Sequence, residues 1–146
     1  MPDDEFWAFL DLLQGSRTEQ DTTNFDRLIA ALTEAGPPKI GEFYETLVLK
    51  THALDTEPHY RSFSMIPGIS DDFLYFRLAI VASGKARYEQ VLMNPREFPS
   101  YWTPNCWNEQ LMYVADYAYR AATGEDFNRE SSVSIESFSN RKGWNK

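Results

Sequence analysis

The chain has one cysteine, Cys106, and two histidines, His52 and His59, among 146 residues. A single thiol closes no intramolecular disulfide, which excludes a small stapled domain. The two imidazoles stand seven residues apart, a spacing that matches no zinc motif, and no second cysteine completes a thiolate set. Glycine is scarce, and the 7 that occur stand singly as helix stops. No glycine-rich phosphate loop is formed from them. Ser70 lacks the flanking glycines of a hydrolase nucleophile elbow. No apolar run reaches the ~18 residues a membrane helix needs. The opening Met1-Pro2-Asp3-Asp4 is acidic where a signal peptide is basic. Lys and Arg number 14 against 22 acids, a net charge of −8, and no basic cluster offsets it. Such a surface repels phosphates, so nucleic acid is not an expected partner. The expectation is a cytoplasmic protein without membrane attachment, with no catalytic residue, metal or cofactor assigned.

What is present is apolar and periodic. Hydrophobic residues make up 42% of the chain and aromatics 15%, enough for one core and too many for a disordered segment. Helical spacing dominates. Phe6, Phe9, Leu10 and Leu13 form one stripe behind Asp3 and Asp4, and Gly15-Ser16 stops it. Phe25, Leu28, Ile29 and Leu32 form a second over about Thr22–Ala35, closed by Gly36-Pro37-Pro38. A third helix starts near Lys39 with Ile40, Phe43, Tyr44, Leu47 and Leu54 inward and Glu42, Glu45 and Lys50 outward. A short turn is expected near His59–Ser64. Ser70 to Gly84 reads as a capped helix, apolar nearly all round and therefore central, with a strand through Ile80-Val81 as the minor alternative. A helix over about Lys85–Met93 follows, then a loop with Phe98, Tyr101 and Trp102 between prolines. The last helix, about Trp107–Thr123, turns Trp107, Leu111, Val114, Ala115, Ala118 and Ala122 to one side. The fold class is all-α: a compact single-domain bundle of about six or seven helices over residues 1–124. An irregular Ser/Asn-rich tail, 125–146, follows, in which Ser132–Ile135 makes a strand only if an edge is supplied.

The charge is uneven. Residues 1–60 hold twelve acids and four bases, and residues 61–146 hold ten of each. The plain reading is a solvated surface. The functional one is steering of a basic partner by Glu19, Asp21, Asp26, Glu34, Glu42 and Glu45.

Three blocks resemble one family. Asp4-Glu5-Phe6-Trp7 with Leu10 is similar to the opening of the bacterial family known as domain of unknown function 4240. Ser70-Asp71-Asp72-Phe73-Leu74-Tyr75-Phe76-Arg77, with Gly84 after it, is similar to its middle segment. Glu109, Leu111, Tyr113-Val114-Ala115, Tyr117-Ala118-Tyr119 and Thr123-Gly124 are similar to its closing helix. Together they span residues 4–124. The chain departs from the family pattern at Pro67-Gly68-Ile69, where a glycine pair is usual, and in an aromatic-rich insertion before the last helix. The resemblance implies a small, mainly helical bacterial protein and implies no reaction.

Two sets of residues are candidates for binding. Asp71, Asp72, Tyr75 and Arg77 surround the start of the central helix. Arg77 interrupts an apolar run and must find a partner, with one of the two acids or Glu109 as candidates, or reach water along its stem. The plain reading is a helix N-terminus with its usual acids and a fold-fixing ion pair. Tyr101 and Trp102 are proline-held aromatics of the kind that anchor interfaces, or else rings that fold back to seal the bundle. Phe138 and Trp144 need either a partner or a dock on their own bundle. The favoured function is a protein–protein interaction module, such as an immunity-type inhibitor or an adaptor, whose partner is another protein, a basic one if the acidic half steers it. The alternative is an enzyme or small-molecule binder with a polar pocket at the start of the central helix.

Overall fold

The computed structural model describes residues 1–14, 22–64, 73–97 and 109–144. Among them stand seven α-helices and no strand. Helix α1 is Asp3–Asp11, so Asp3, Asp4 and Glu5 form its first turn, where the helix dipole favours acids. Helix α2 is Thr22–Ala35, as its periodicity predicts. Helix α3, Pro37–Ala53, starts two residues before the expected point because proline suits the first helical position. Gly36 precedes it at φ 94°, a left-handed turn that other residues rarely adopt. Helix α4 is Glu57–Ser64, α5 Phe73–Ala82 and α6 Lys85–Met93. The last helix opens as a 3-10 turn, Glu109–Tyr113, before α7, Val114–Thr123.

The core forms because the apolar stripes meet. Phe6, Trp7, Leu10, Phe25, Leu28, Phe43, Leu47, Phe76, Leu111 and Val114 are all buried in it. α2 packs on α7 and α3, and α5 is enclosed by α3, α6 and the 3-10 turn at Glu109–Tyr113. α5 is buried on every side from Phe76 to Ala82, as an all-round apolar helix must be. Ile80-Val81 is helical, not extended. Three details depart from the sequence reading. Trp7, off the predicted stripe, is buried against Phe6 and Tyr88, while Phe9 and Ile29 are only partly covered. Ala122 is exposed, because the last turn of α7 projects beyond the core. Ser132–Ile135 is irregular, since Ser132 N–H donates to the Glu45 carboxylate instead of to a neighbouring strand.

Helix α4 is fastened by one buried histidine. Thr56 Oγ1 accepts the His59 N–H at the start of α4 and lies 2.6 Å from His59 Nδ1. His59 Nε2 lies 2.9 Å from the Val91 carbonyl of α6. The carbonyl can only accept, so Nε2 carries the proton and Nδ1 accepts from Thr56. Burial lowers the His59 pKa, and the hydrogen bond to Val91 opposes this in part. The unfolded chain therefore binds more protons below its ordinary pKa of about 6.5. Stability falls as pH drops through that value towards the lower folded one. We expect the melting temperature to fall by a few degrees between about pH 7 and pH 5.5, with a shallower slope in His59→Gln. Equal slopes would show that His59 does not contribute.

Candidate functional site

Helix α3 ends without a glycine cap, and its last carbonyls need donors from beyond the helix. Leu54, the residue after its last turn, stays right-handed. The Leu54 N–H bonds back to the Thr51 carbonyl at 3.2 Å and the Asp55 N–H to the His52 carbonyl at 3.0 Å, and three side chains from distant parts of the chain add further donors. Tyr88 Oη donates to the Lys50 carbonyl at 2.8 Å, Arg77 Nη1 to the Thr51 carbonyl at 3.0 Å and Asn140 Nδ2 to the His52 carbonyl at 3.1 Å. The guanidinium also lies at the negative end of the α3 dipole.

Arg77 is 0% exposed. Its second arm reaches the tail, Nη2 donating to the Ile135 carbonyl at 3.1 Å and to Ser137 Oγ at 3.0 Å. The guanidinium lies 4.8 Å from the centre of the Phe73 ring. Burial lowers its pKa to about 10, against the attraction of Asp55 and then Glu136, so it remains protonated at neutral pH. Nε is buried and, among the described residues, has no hydrogen-bond partner. Arg77 thus neither reaches water nor pairs directly with a carboxylate among the described residues: carbonyl and hydroxyl oxygens take its two terminal nitrogens. Glu109, a candidate partner from the sequence, instead accepts from Tyr75 Oη at 3.3 Å and Tyr113 Oη at 3.2 Å.

Asp55, also 0% exposed, follows α3 after Leu54. Its carboxylate receives the backbone N–H groups of three consecutive tail residues: Phe138 at 2.9 Å, Ser139 at 2.8 Å and Asn140 at 2.9 Å. The Trp144 indole N–H adds a fourth donor at 3.1 Å. Wrapping the backbone round one carboxylate puts Phe138 at φ 69°, a left-handed conformation costing roughly 1–3 kcal/mol for such a residue. Phe138 and Trp144 pack 4.7 Å apart, centre to centre, and both lie against Tyr60 of α4. These two aromatics therefore dock on their own bundle. A 3-10 turn, Arg141–Trp144, closes the chain over Thr56. Upstream, Phe127 packs edge-on to Tyr44, and Arg129 forms a two-pronged pair with Asp116.

A groove of about 580 Å³ lies between α3 and this tail, with His52, Ser134, Ser139, Asn140, Arg141 and Lys142 among its walls. Ser139 Oγ lies 3.4 Å from His52 Nδ1 and 3.5 Å from Asp55 Oδ2, a trio with the residue types of a hydrolase. The order of contacts differs from a catalytic relay, in which the acid holds the histidine. His52 Nδ1 lies 2.9 Å from the Ser134 carbonyl, so that nitrogen bears the proton and takes none from Ser139. Ser139 Oγ donates to the Glu136 carbonyl at 2.6 Å. The arrangement holds a backbone in place. Among the described residues no three His, Cys, Asp or Glu side chains converge on a metal-sized site.

Of the residues picked from sequence, Asp71, Asp72, Tyr101 and Trp102 lie outside the described residues, as does Cys106. Tyr75 and Arg77 are not brought together: Tyr75 meets Glu109, and Arg77 lies beneath the tail. Asp55, the hub of the arrangement, was absent from that selection. A signal for it was present, because Asp55 continues, just past the end of α3, the four, three, four spacing of the buried Tyr44, Val48 and Thr51.

Asp55→Asn places an amide N–H₂ or a single oxygen where several N–H donors converge. We expect a loss on the order of 3 kcal/mol, or roughly 6–12 °C in melting temperature. Gly143→Ala tests the same dock by steric means. A Cβ there would lie 2.8 Å from Thr56 Cγ2 and 2.9 Å from the Asp55 carbonyl oxygen, so the last turn must lift. In thermal melts, Gly143→Ala is expected to be less destabilising than Asp55→Asn, by about 1–3 kcal/mol against wild type. Melting curves unchanged in both variants would contradict the dock.

No curated protein matches the chain, and no solved structure does. One family model matches residues 1–121, which takes in α1 to α6 and most of α7 and leaves out the docked tail. With most of its length covered, the chain belongs to the family described as Protein of unknown function (DUF4240).

Proposed function

We propose that the protein is a protein–protein interaction module, of the immunity-type inhibitor or adaptor kind. One observation supports this above the others: the buried Asp55 and Arg77 are both used to hold polypeptide backbone. A carboxylate ringed by three consecutive N–H groups and a guanidinium on backbone carbonyls are peptide-recognition chemistry. The dock also presents a surface suited to a partner. Phe138 is 54% exposed yet fixed between Tyr60 and Trp144, and Arg141 and Lys142, a few residues on, are exposed too. A rigidly held aromatic loses little entropy on binding.

The acidic half has a narrower role in this reading than its charge count suggests. Asp3 pairs with Lys50 at 2.8 Å, Glu5 and Glu42 with Lys39 at 3.0 and 3.4 Å, and Glu57 with Arg61. Glu45 holds Ser132. Among the described residues chosen for steering, Asp26 and Glu34 on α2 stay exposed and are the acids left to steer a basic partner, while Glu19 and Asp21 lie outside the described residues.

The test is capture of partners by the tagged full chain from host lysate at low and high salt, read by mass spectrometry. We expect one stoichiometric partner. With that partner purified, Asp26→Asn with Glu34→Gln should slow association severalfold at low salt and leave dissociation unchanged. Absence of any stoichiometric partner at either salt would count against the module reading. An unchanged association rate would remove the steering role alone.

A further inference from the structure

The tail behaves as a ligand that happens to be covalently attached. The walls of its slot, Thr51, Asp55, Tyr60 and Arg77, lie within the family-matched residues 1–121, and the segment that fills it lies outside them. The slot is specific for backbone. It offers a carboxylate for a run of N–H groups, a guanidinium for carbonyls and an aromatic wall for rings. The fit has two defects. Arg77 Nε, wholly buried and next to the Nη2 that holds Ile135, has no acceptor among the described residues. Phe138 is held at φ 69°, where glycine or asparagine is far more at ease, and the residue remains 54% exposed. A segment with an extra oxygen for Nε and a glycine or asparagine in the place of Phe138 would fit better than the tail does.

From this we infer that the slot is a peptide-binding site for a segment of a partner protein, and that residues 135–144 are its internal competitor. The inference rests on the reading of the protein as an interaction module, and adds the site and the ligand chemistry. The occupant is a foreign segment, not the tail of a second copy. A tethered tail competes at an effective concentration in the millimolar range, and an identical tail at micromolar concentration gains nothing over it. Only a better-matched segment displaces it. The chemistry expected of that segment is a turn presenting three successive N–H groups, glycine or asparagine at its left-handed position, a carbonyl or carboxylate towards Arg77, and an indole or similar ring near Tyr60.

Two fluorescein-labelled synthetic peptides test this: residues 133–146 as they stand, and the same peptide with Phe138→Gly. Both are titrated by anisotropy into the full-length wild type and into the full-length Phe138→Ala/Trp144→Ala protein, which keeps every slot wall. We expect both peptides to bind the tail-weakened protein at least tenfold more tightly than wild type, the Phe138→Gly peptide more tightly than the native one. Adding Asp55→Asn to that protein should lose at least tenfold. Failure to bind a tail-weakened protein that is still helical by circular dichroism would overturn the inference. So would equal affinity for wild type and variant, which would place the peptide elsewhere. If the weakened protein does not fold, wild type decides. The Trp144 indole N–H resonance, assigned with Trp144→Phe, should move when excess Phe138→Gly peptide displaces the tail, and an unmoved resonance overturns the inference. A stoichiometric partner captured from lysate alongside a peptide that does not bind would sink this inference and leave the module reading standing.

Discussion

A carboxylate buried away from water must be surrounded by donors, and in this chain the donors arrive from the far end of the sequence. Asp55 lies between α3 and α4, beneath the surface. Three consecutive backbone N–H groups and one indole N–H donate to its carboxylate, all from residues 138–144. Desolvating such a group without partners costs several kcal/mol. The position of the tail, the closure of the α3 terminus and the cover over Arg77 all follow from that one requirement.

Arg77 makes the complementary demand. It is a cation in the most apolar helix of the bundle, and it joins the last turn of α3 to the tail with its two terminal nitrogens. Replacing water with carbonyl oxygens stabilises the charge only while the carbonyls are held in place. Asn140 and Tyr88 complete the same helix end, so helix α3 is capped by tertiary structure where other helices use a glycine. The segment after α7 therefore belongs to the folded unit in energetic terms, although it has little regular structure.

The helices were legible in the sequence because burial is periodic. Stripes at three- and four-residue spacing located α2 and α6 closely and identified α5 as central. The tail was legible only as irregular. Its path is set by single long-range hydrogen bonds, such as Ser132 to Glu45 and Phe138 to Asp55, which leave no period to read. Arg77 was visible as an anomaly, a charge in an apolar run, but its partners are main-chain oxygens and carry no side-chain signature. Asp55 was hidden by context, since an acid next to Thr56 and Pro58 resembles the ordinary start of a helix. Only its place on the stripe through Val48 and Thr51 marks it as inward.

The central claim is that Asp55 and Arg77 hold residues 135–144 as part of the native fold. Hydrogen exchange of individual backbone amides in the wild-type chain tests it most directly, because three of the proposed donors are themselves the probes. The account predicts that the amides of Phe138, Ser139 and Asn140 exchange far more slowly than an unstructured segment, as buried amides do. Exchange of those three at unprotected rates, in a chain whose helical amides stay protected, would contradict it.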